Sequence, residues 1–214
     1  MTPPLEQFVS EYFILDRTPP HKRRYLHVGS YDGKHGDCTA YLQSAGWLGV
    51  LVEPNPAIIP HLLMNRADAN TVIFDVACVA NETERQASYI GYAELGQHGG
   101  LSPDHSKIES EARRYPNGVT PNVSIVKAMT VNEILRVAFD GKPHALDYVQ
   151  IDTEGTEQDV LAGFDLDLYT PALMCIETDD PRNADMDMIL MGRGYDVIAR
   201  YGQNTVYERV ANAT

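Results

Sequence analysis

The strongest constraint on this chain is a repeated alternation. Short, continuous apolar runs at 25–28, 48–52, 71–74, 147–151 and 172–176 are separated by segments whose apolar residues recur at helical spacing. Strands apolar on both faces belong to a parallel sheet covered by helices on either side. The helical segments are 38–45, closed by Gly46; 57–65, with Ile58, Ile59, Leu62 and Leu63; 157–161; and 184–191. Leu5, Phe8, Val9, Tyr12 and Phe13 predict an amphipathic leading helix over 5–15, inside an N-terminal segment of 1–20 that Thr18, Pro19 and Pro20 bring to a stop. The runs 195–198 and 205–208, joined across Gly202 and Gln203, predict a closing antiparallel hairpin. The expected fold is therefore α/β, with a mostly parallel central sheet, a closing hairpin and helices on both faces.

One stretch breaks the rhythm. Residues 81–141 hold Gly96, Gly99, Gly100, Pro103, Pro116, Gly118 and Pro121 among many charges. A strand near 87–92, a long loop, a strand near 124–129 and a helix near 131–139 are expected there. A loop of that size inside a compact domain usually carries function or moves. Placed between the third and fourth sheet strands, this insert is expected on the substrate side. The 214 residues suit a single domain over 1–214.

Charge narrows the partners. Thirty Asp and Glu against 17 Lys and Arg leave a formal −13. Gripping phosphate backbones or anionic membranes needs an excess of Lys and Arg, so neither nucleic acid nor a membrane is expected as partner. No run approaches the roughly 18 apolar residues of a membrane span. Residues 1–20 carry Glu6, Glu11 and Asp16 and no apolar core of a signal peptide. Cys38, Cys78 and Cys175 are widely spaced and form no CxxC or Cys/His cluster, so they read as thiols of a reducing compartment rather than zinc ligands. A cytoplasmic protein is expected; its oligomeric state stays open, a homodimer included.

The most informative segment runs from Val28 through Gly29, Ser30, Tyr31, Asp32 and Gly33 to Asp37, a strand entering a Gly-rich turn. Open α/β sheets bind ligands at such turns, outside the carboxyl ends of the strands. Glu53 follows 24 positions after Gly29, at the end of the second strand, where a carboxylate accepts both hydroxyl protons of a ribose. A dinucleotide site would carry GxGxxG to bring a helix N-terminus to a pyrophosphate. Here Asp32 occupies the loop, and an anion there repels a pyrophosphate. It suits a sulfonium and an ammonium, the cationic groups of S-adenosylmethionine. The plainer alternative is a structural Gly turn beside an exposed strand-end Glu.

These residues carry a resemblance. His27, Val28, Gly29, Ser30, Tyr31, Asp32 and Gly33, then Gly46, Trp47, Leu48 and Gly49, then Val52, Glu53, Pro54, Asn55 and Pro56, then Asn65 and Arg66 resemble the FkbM family of S-adenosylmethionine-dependent methyltransferases. A second block agrees: Leu146 through Asp152 to Glu157, then Val160, Leu161, Ala162 and Gly163, then Pro171, Ile176 and Glu177. The likeness covers about 25–177. It implies a class I methyltransferase fold, Rossmann-like, with the cofactor against Gly29, Ser30, Tyr31, Asp32, Gly33, Glu53, Pro54, Asp75, Val76 and Asp152, and the adenine near 74–78. His27 stands where the family usually has Asp, Tyr31 where it usually has Asn, and Gln150 where Lys is frequent.

Methyl transfer is an in-line displacement from an activated donor, so positioning supplies most of the catalysis. A hydroxyl acceptor must also lose a proton, to a base or with the help of a metal. Asp152, at the end of the fourth strand, is the first candidate for the catalytic carboxylate, and His98 in the insert is the candidate imidazole base. Asp152, Glu177 and Asp179 are candidate ligands for Mg²⁺, a hard cation that takes oxygen donors. The alternative leaves Glu177, Asp179 and Asp180 as solvated acids heading a loop. Glu154 and Glu157 either cap the following helix or join the chemistry. Lys107, Arg113 and Arg114 either meet an anionic acceptor or line a solvated loop, and Trp47 is expected to pack. The reading that follows is O-methylation of a small molecule or a sugar or glycan hydroxyl. The alternatives are a non-catalytic nucleoside-binding module that keeps the fold, favoured by His27 and Tyr31, and a nicotinamide-dependent dehydrogenase, disfavoured by the missing GxGxxG.

Overall fold

In the computed structural model, which describes residues 5–13, 18–35, 37–92, 99–101, 120–178 and 184–210, β1 (Arg24–Val28) lies inside a seven-stranded sheet. Its neighbours are β2 (Leu48–Val52) and β7 (Tyr148–Ile151). With β3 (Thr71–Phe74), β8 (Leu173–Glu177), β9 (Tyr195–Tyr201) and β10 (Asn204–Arg209), the order is β3-β2-β1-β7-β8-β10-β9. The first five strands in that order are parallel, and β10 runs antiparallel between β8 and β9. The α/β class, the mostly parallel sheet and the closing hairpin across Gly202 and Gln203 are as the apolar pattern predicts.

Successive side chains of a strand face opposite ways, and both faces are buried here. Leu26, Val28, Val50, Val52, Val149, Ile151, Met174 and Ile176 pack with Val131, Ile134 and Leu135 of α4 (Val131–Ala138), Val160 and Leu161 of α5 (Glu157–Ala162) and Leu190 of α7 (Met186–Met191). Tyr25, Leu51, Tyr148, Leu173 and Cys175 take the other face, with Val9 of α1 (Leu5–Tyr12), Leu42 of α2 (Ala40–Ser44) and Leu62 of α3 (Ile59–Arg66). Trp47 is buried beside Phe13 and under the Arg23 guanidinium, so it packs. All three cysteines are free and buried. Among the described residues no helix is long and apolar enough to cross a membrane.

The insert is more structured than a loop. β5 (Gln86–Tyr92) and β6 (Pro121–Met129) pair antiparallel, and β4 (Ala77–Cys78), too short to stand out in the sequence, adds a parallel edge to β6. The helix at the end of 81–141 belongs to the main core rather than to a substrate side: α4 buries Ile134 and Leu135 completely. Thr130 and Glu133 start it with a reciprocal capping box, a device contributing about 1 kcal/mol. The four-residue α6 (Leu166–Tyr169), which lacks any helical period, is started by Asp165. Three helices, α2, α3 and α7, begin two residues later than their apolar pattern predicts. The Asp37 carboxylate holds the Thr39 N–H and hydroxyl in a turn before α2, and the Asn55 side chain holds the Ala57 N–H before α3.

Candidate active site

Register builds the site. Val28 pairs with Val52 and with Ile151, Val52 with Phe74, and Ile151 with Ile176. The five strand ends therefore lie level, and the next residues, Asp75, Glu53, Gly29, Asp152 and Glu177, form a row along the carboxyl edge. The strand order reverses at β1 and β7, the place where open α/β sheets open a crevice. A cavity of about 460 Å³ lies there, within the range of small-ligand sites. Glu53, Gly29, Asp152 and Glu177 line it; Asp75 does not, and is exposed.

Gly29 is required by geometry. Its φ is +82°, and a Cβ on it would lie 1.7 Å from the Asp152 carbonyl oxygen. Only glycine lets the ends of β1 and β7 approach so closely. The next residues turn back over the sheet: the N–H groups of Gly29 and Ser30 both donate to the Val52 carbonyl, and the Ser30 hydroxyl donates to the His27 carbonyl. Tyr31 follows at φ +48°, a left-handed conformation that strains a bulky side chain.

Glu53 is buried, and each of its oxygens accepts a backbone N–H at 2.8 Å, from Tyr31 and from Asn55. Burial pushes its carboxyl up to about 7, against the pull of those two N–H groups. Each carboxylate oxygen has a second lone pair, and Glu53 lines the cavity, so those lone pairs are available to hydroxyl donors of a ligand.

At the other end, Asp152 and Glu177 are hydrogen-bonded to each other. Burial pushes the Asp152 carboxyl up to about 6, with Glu154 and Glu157 adding to the rise and His27 and Glu177 opposing it. The turn after Asp152 is held from behind: Glu157, fully buried, accepts from the Thr153 N–H (2.7 Å), the Thr153 hydroxyl (2.9 Å) and the Gly155 N–H (3.2 Å). Of the two roles open to Glu157, this one holds the loop. Glu154, at φ +57°, lines the cavity.

His27 lines the cavity too and is 3% exposed. Its Nδ1 lies 3.2 Å from the Thr39 hydroxyl and 3.4 Å from an Asp37 oxygen. Asp37 pairs with the buried Arg66, which also donates to the Tyr25 hydroxyl and to Thr39. Burial and the Arg66 charge depress the His27 pKa to about 4, although Asp152 and Glu53 pull it up. The imidazole is neutral at physiological pH.

The wall over the cavity comes from Val76, Ala77 and Cys78 and from the insert: Tyr89 of β5 and residues 99–101. Gly100 and Ile90 exchange two backbone hydrogen bonds at 2.9 and 3.0 Å, laying that strap against β5. Gly99 makes the fit, since a Cβ there would lie 2.3 Å from the Tyr89 hydroxyl oxygen. The Tyr89 hydroxyl hydrogen-bonds the Asn55 side chain, tying the insert to the loop that carries Glu53.

Of the residues singled out from sequence, Gly29, Ser30, Tyr31, Glu53, Pro54, Val76, Asp152 and Glu177 come together around the cavity. Asp32 and Gly33 are not among its lining. The Asp32 carboxylate faces its own loop, accepting from the N–H groups of Lys34 and His35 at 3.0 and 2.9 Å and meeting the His35 ring at 2.6 Å. His98, Asp179, Asp180, Lys107, Arg113 and Arg114 lie outside the described residues. Among the described residues no three His, Cys, Asp or Glu side chains gather to hold a metal ion. Asp152 and Glu177 share a hydrogen bond. Sequence reasoning missed Tyr89, the 99–101 strap and the support behind His27. The doublet Gly99 and Gly100 was the available signal for the strap.

A family model described as the Methyltransferase FkbM domain matches residues 27–197. A search of curated proteins finds no match. Among solved structures, a methyltransferase FkbM from Methylobacillus flagellatus KT superposes with a TM-score of 0.53 at 10% identity, over 95% of this chain and 50% of that one. An O-methyltransferase from Bacillus cereus in complex with SAH gives 0.54 at 11% identity, over 99% of this chain and 82% of that one. The METTL16 MTase domain gives 0.50 at 10% identity, over 97% and 66%. Identities this low show a shared fold, that of class I methyltransferases. This chain spans half the length of the M. flagellatus protein.

Proposed function

The chain belongs to the FkbM methyltransferase family, and on that premise we propose that it moves a methyl group from S-adenosylmethionine to a hydroxyl of a small molecule or a sugar or glycan. The observation that carries this reading is the pairing, in one cavity, of two different carboxylate sites: Glu53 held by backbone N–H groups at one end, and the Asp152–Glu177 pair at the other.

The residues fit the cofactor. Glu53 accepts the two ribose hydroxyl protons on lone pairs that Tyr31 and Asn55 leave open. Gly29, lacking a side chain, lets the backbone of 29–31 approach the ligand. Val76, Ala77 and Cys78 form a wall of small and branched side chains suited to a flat purine. When bound, S-adenosylmethionine supplies a methyl group already activated by its sulfonium. What remains for the chain is to orient the acceptor hydroxyl and take its proton. Asp152 does the second. Its carboxyl, pushed up to about 6, is more basic than an ordinary Asp and still largely ionised at pH 7, the compromise general-base catalysis favours. Glu177, hydrogen-bonded to it, favours its ionised form. No step is assigned to a metal. The insert strap and Tyr89 wall one side of the cavity. The acidic chain favours a small acceptor over nucleic acid or a membrane, and its buried thiols suit the cytoplasm.

The test is calorimetric titration with S-adenosylhomocysteine, then transfer from methyl-labelled S-adenosylmethionine to a panel of hydroxylated small molecules and sugars. Binding followed by label in an ether is the expected result. Absence of binding at millimolar concentration overturns the reading. Binding without transfer to any acceptor pool favours the non-catalytic nucleoside-binding module.

A further inference from the structure

The turn after β7 fixes the direction of a short chain of hydroxyl bonds. One oxygen of the Glu157 carboxylate takes the N–H groups of Thr153 and Gly155, and also the Thr153 hydroxyl at 2.9 Å. The one hydroxyl proton of Thr153 is therefore committed to Glu157. Its oxygen in turn receives the Thr156 hydroxyl proton at 3.1 Å. With that proton committed as well, Thr156 has only oxygen lone pairs to offer a further group, and it acts there as an acceptor.

Thr153 and Thr156 both line the cavity, and Thr156 is 7% exposed. Its position would ordinarily give that oxygen other work. Thr156 stands immediately before α5 as Thr130 stands before α4. Thr130 accepts the Glu133 N–H and caps its helix, whereas the Thr156 side chain makes no capping bond. Its hydroxyl is joined instead to a second cavity-lining residue. The order of strands then separates it from the cofactor. The purine wall of Val76, Ala77 and Cys78 follows β3 and Glu53 follows β2, so S-adenosylmethionine extends along the sheet edge from β3 toward β1. Thr156 belongs with Asp152 to the turn beyond β1, on the side left for the acceptor.

We propose that Thr156 is a substrate-binding residue that selects the methyl acceptor, its oxygen accepting a hydrogen bond from a second O–H or N–H of the molecule whose hydroxyl Asp152 deprotonates. This rests on the function proposed above and narrows it: the acceptor is a polyol, a sugar or an amino alcohol rather than a single hydroxyl on an apolar skeleton. Both contacts come from one turn, which Glu157 closes from behind, so their spacing is held fixed. The neighbouring cavity groups agree. Glu154, Glu177 and Gln203 also line it, and their oxygens suit a ligand rich in donors.

A double-mutant cycle on methyl transfer tests this. Labelled S-adenosylmethionine is offered to methyl glucoside, methyl galactoside, glycerol and ethanolamine, and to cyclohexanol and benzyl alcohol, which carry one hydroxyl. Label is expected in compounds with a second donor, and preferred labelling of the single alcohols overturns the proposal. For the best acceptor, kcat/KM is compared with that of analogues each lacking one of its other hydroxyl or amino groups. Thr156→Val keeps the shape and loses the oxygen. It is expected to lower kcat/KM roughly tenfold for the full acceptor, the range of one hydrogen bond, and not at all for one of the analogues. Thr156→Ser retains most of the native value, and both variants bind S-adenosylhomocysteine as the native protein does. An equal loss for the acceptor and every analogue, or a loss of S-adenosylhomocysteine affinity, makes Thr156 a structural residue and overturns the proposal alone. Binding of S-adenosylhomocysteine by the native protein with no label in any compound overturns it together with the proposed function.

Discussion

The loops after β1 and after β7 are built alike and used differently. Each places a non-glycine residue at positive φ, Tyr31 at +48° and Glu154 at +57°, and each follows it with a glycine at positive φ, Gly33 at +70° and Gly155 at +110°. In each, a carboxylate outside the turn accepts from its backbone: Glu53 takes the Tyr31 N–H of the first, Glu157 the Thr153 and Gly155 N–H groups of the second. Glu53, however, lines the cavity, and Glu157 is sealed behind it. The same local device is half of a ligand site in one loop and pure support in the other. What separates them is whether the carboxylate's remaining lone pairs face a void or the protein.

That contrast can be broken experimentally. The largest effect is expected where the second loop meets the chemistry: Asp152→Asn should lower the rate of methyl transfer by about 10³-fold, the usual contribution of a general base, while S-adenosylhomocysteine affinity by calorimetry stays within a few-fold. An equal loss of both would make Asp152 a binding residue. Next, Glu157→Ala leaves three part-buried donors without their acceptor and puts a cavity in place of a fully buried side chain, and should destabilise the protein by about 3 kcal/mol in urea unfolding. Glu53→Ala should do the reverse, lowering stability by only about 1 kcal/mol because cavity water reaches the freed N–H groups, but weakening S-adenosylhomocysteine binding by roughly 100-fold, the loss of two charge-assisted hydrogen bonds. Matching stability losses in the two variants would erase the distinction.

Acidity sharpens the same contrast. The folded Glu53 carboxyl titrates near 7 against an ordinary 4.5, so between those values the folded protein holds a proton that the unfolded chain has released. Its contribution therefore makes the ligand-free protein less stable as pH rises through that window, and Asp152, raised from 3.8 to about 6, adds in the same direction. The ribose hydroxyls need Glu53 ionised, so S-adenosylhomocysteine affinity should rise with pH up to about 7 and then level off, with a proton released on binding at lower pH. A flat profile in the native protein would remove Glu53 from the ribose site. The smallest effect concerns strain: Tyr31→Asn, a residue more at ease at positive φ, should stabilise the ligand-free protein by up to about 1 kcal/mol in urea unfolding.

Much of the site was legible because it follows from where strands end. Apolar runs stopping at Val28, Val52, Ile151 and Ile176 set Gly29, Glu53, Asp152 and Glu177 in one row, and each was identified by counting along the chain. Asp32 shows the limit. Its place in the Gly-rich loop suggested a cofactor contact, but its carboxylate meets Lys34 and His35 within the same turn. Short polar side chains commonly bond the backbone a few residues on, and nothing in the residue order distinguishes that from reaching a ligand. Tyr89 was invisible for the opposite reason: it reaches the cavity from the insert, through pairing of β5 with β6 and with the 99–101 strap.

By itself, the sequence determined the sheet, its two buried faces and the level of its strand ends. Burial of apolar runs depends on spacing alone, and a slip of one residue would turn a strand's side chains to the other face. Only the tertiary structure decided which carboxylates face the cavity, that Asp152 meets Glu177, and that Arg66, Asp37 and Thr39 orient His27. A polar side chain takes its direction from the donors and charges brought against it, and in this fold most of those arrive from distant parts of the chain.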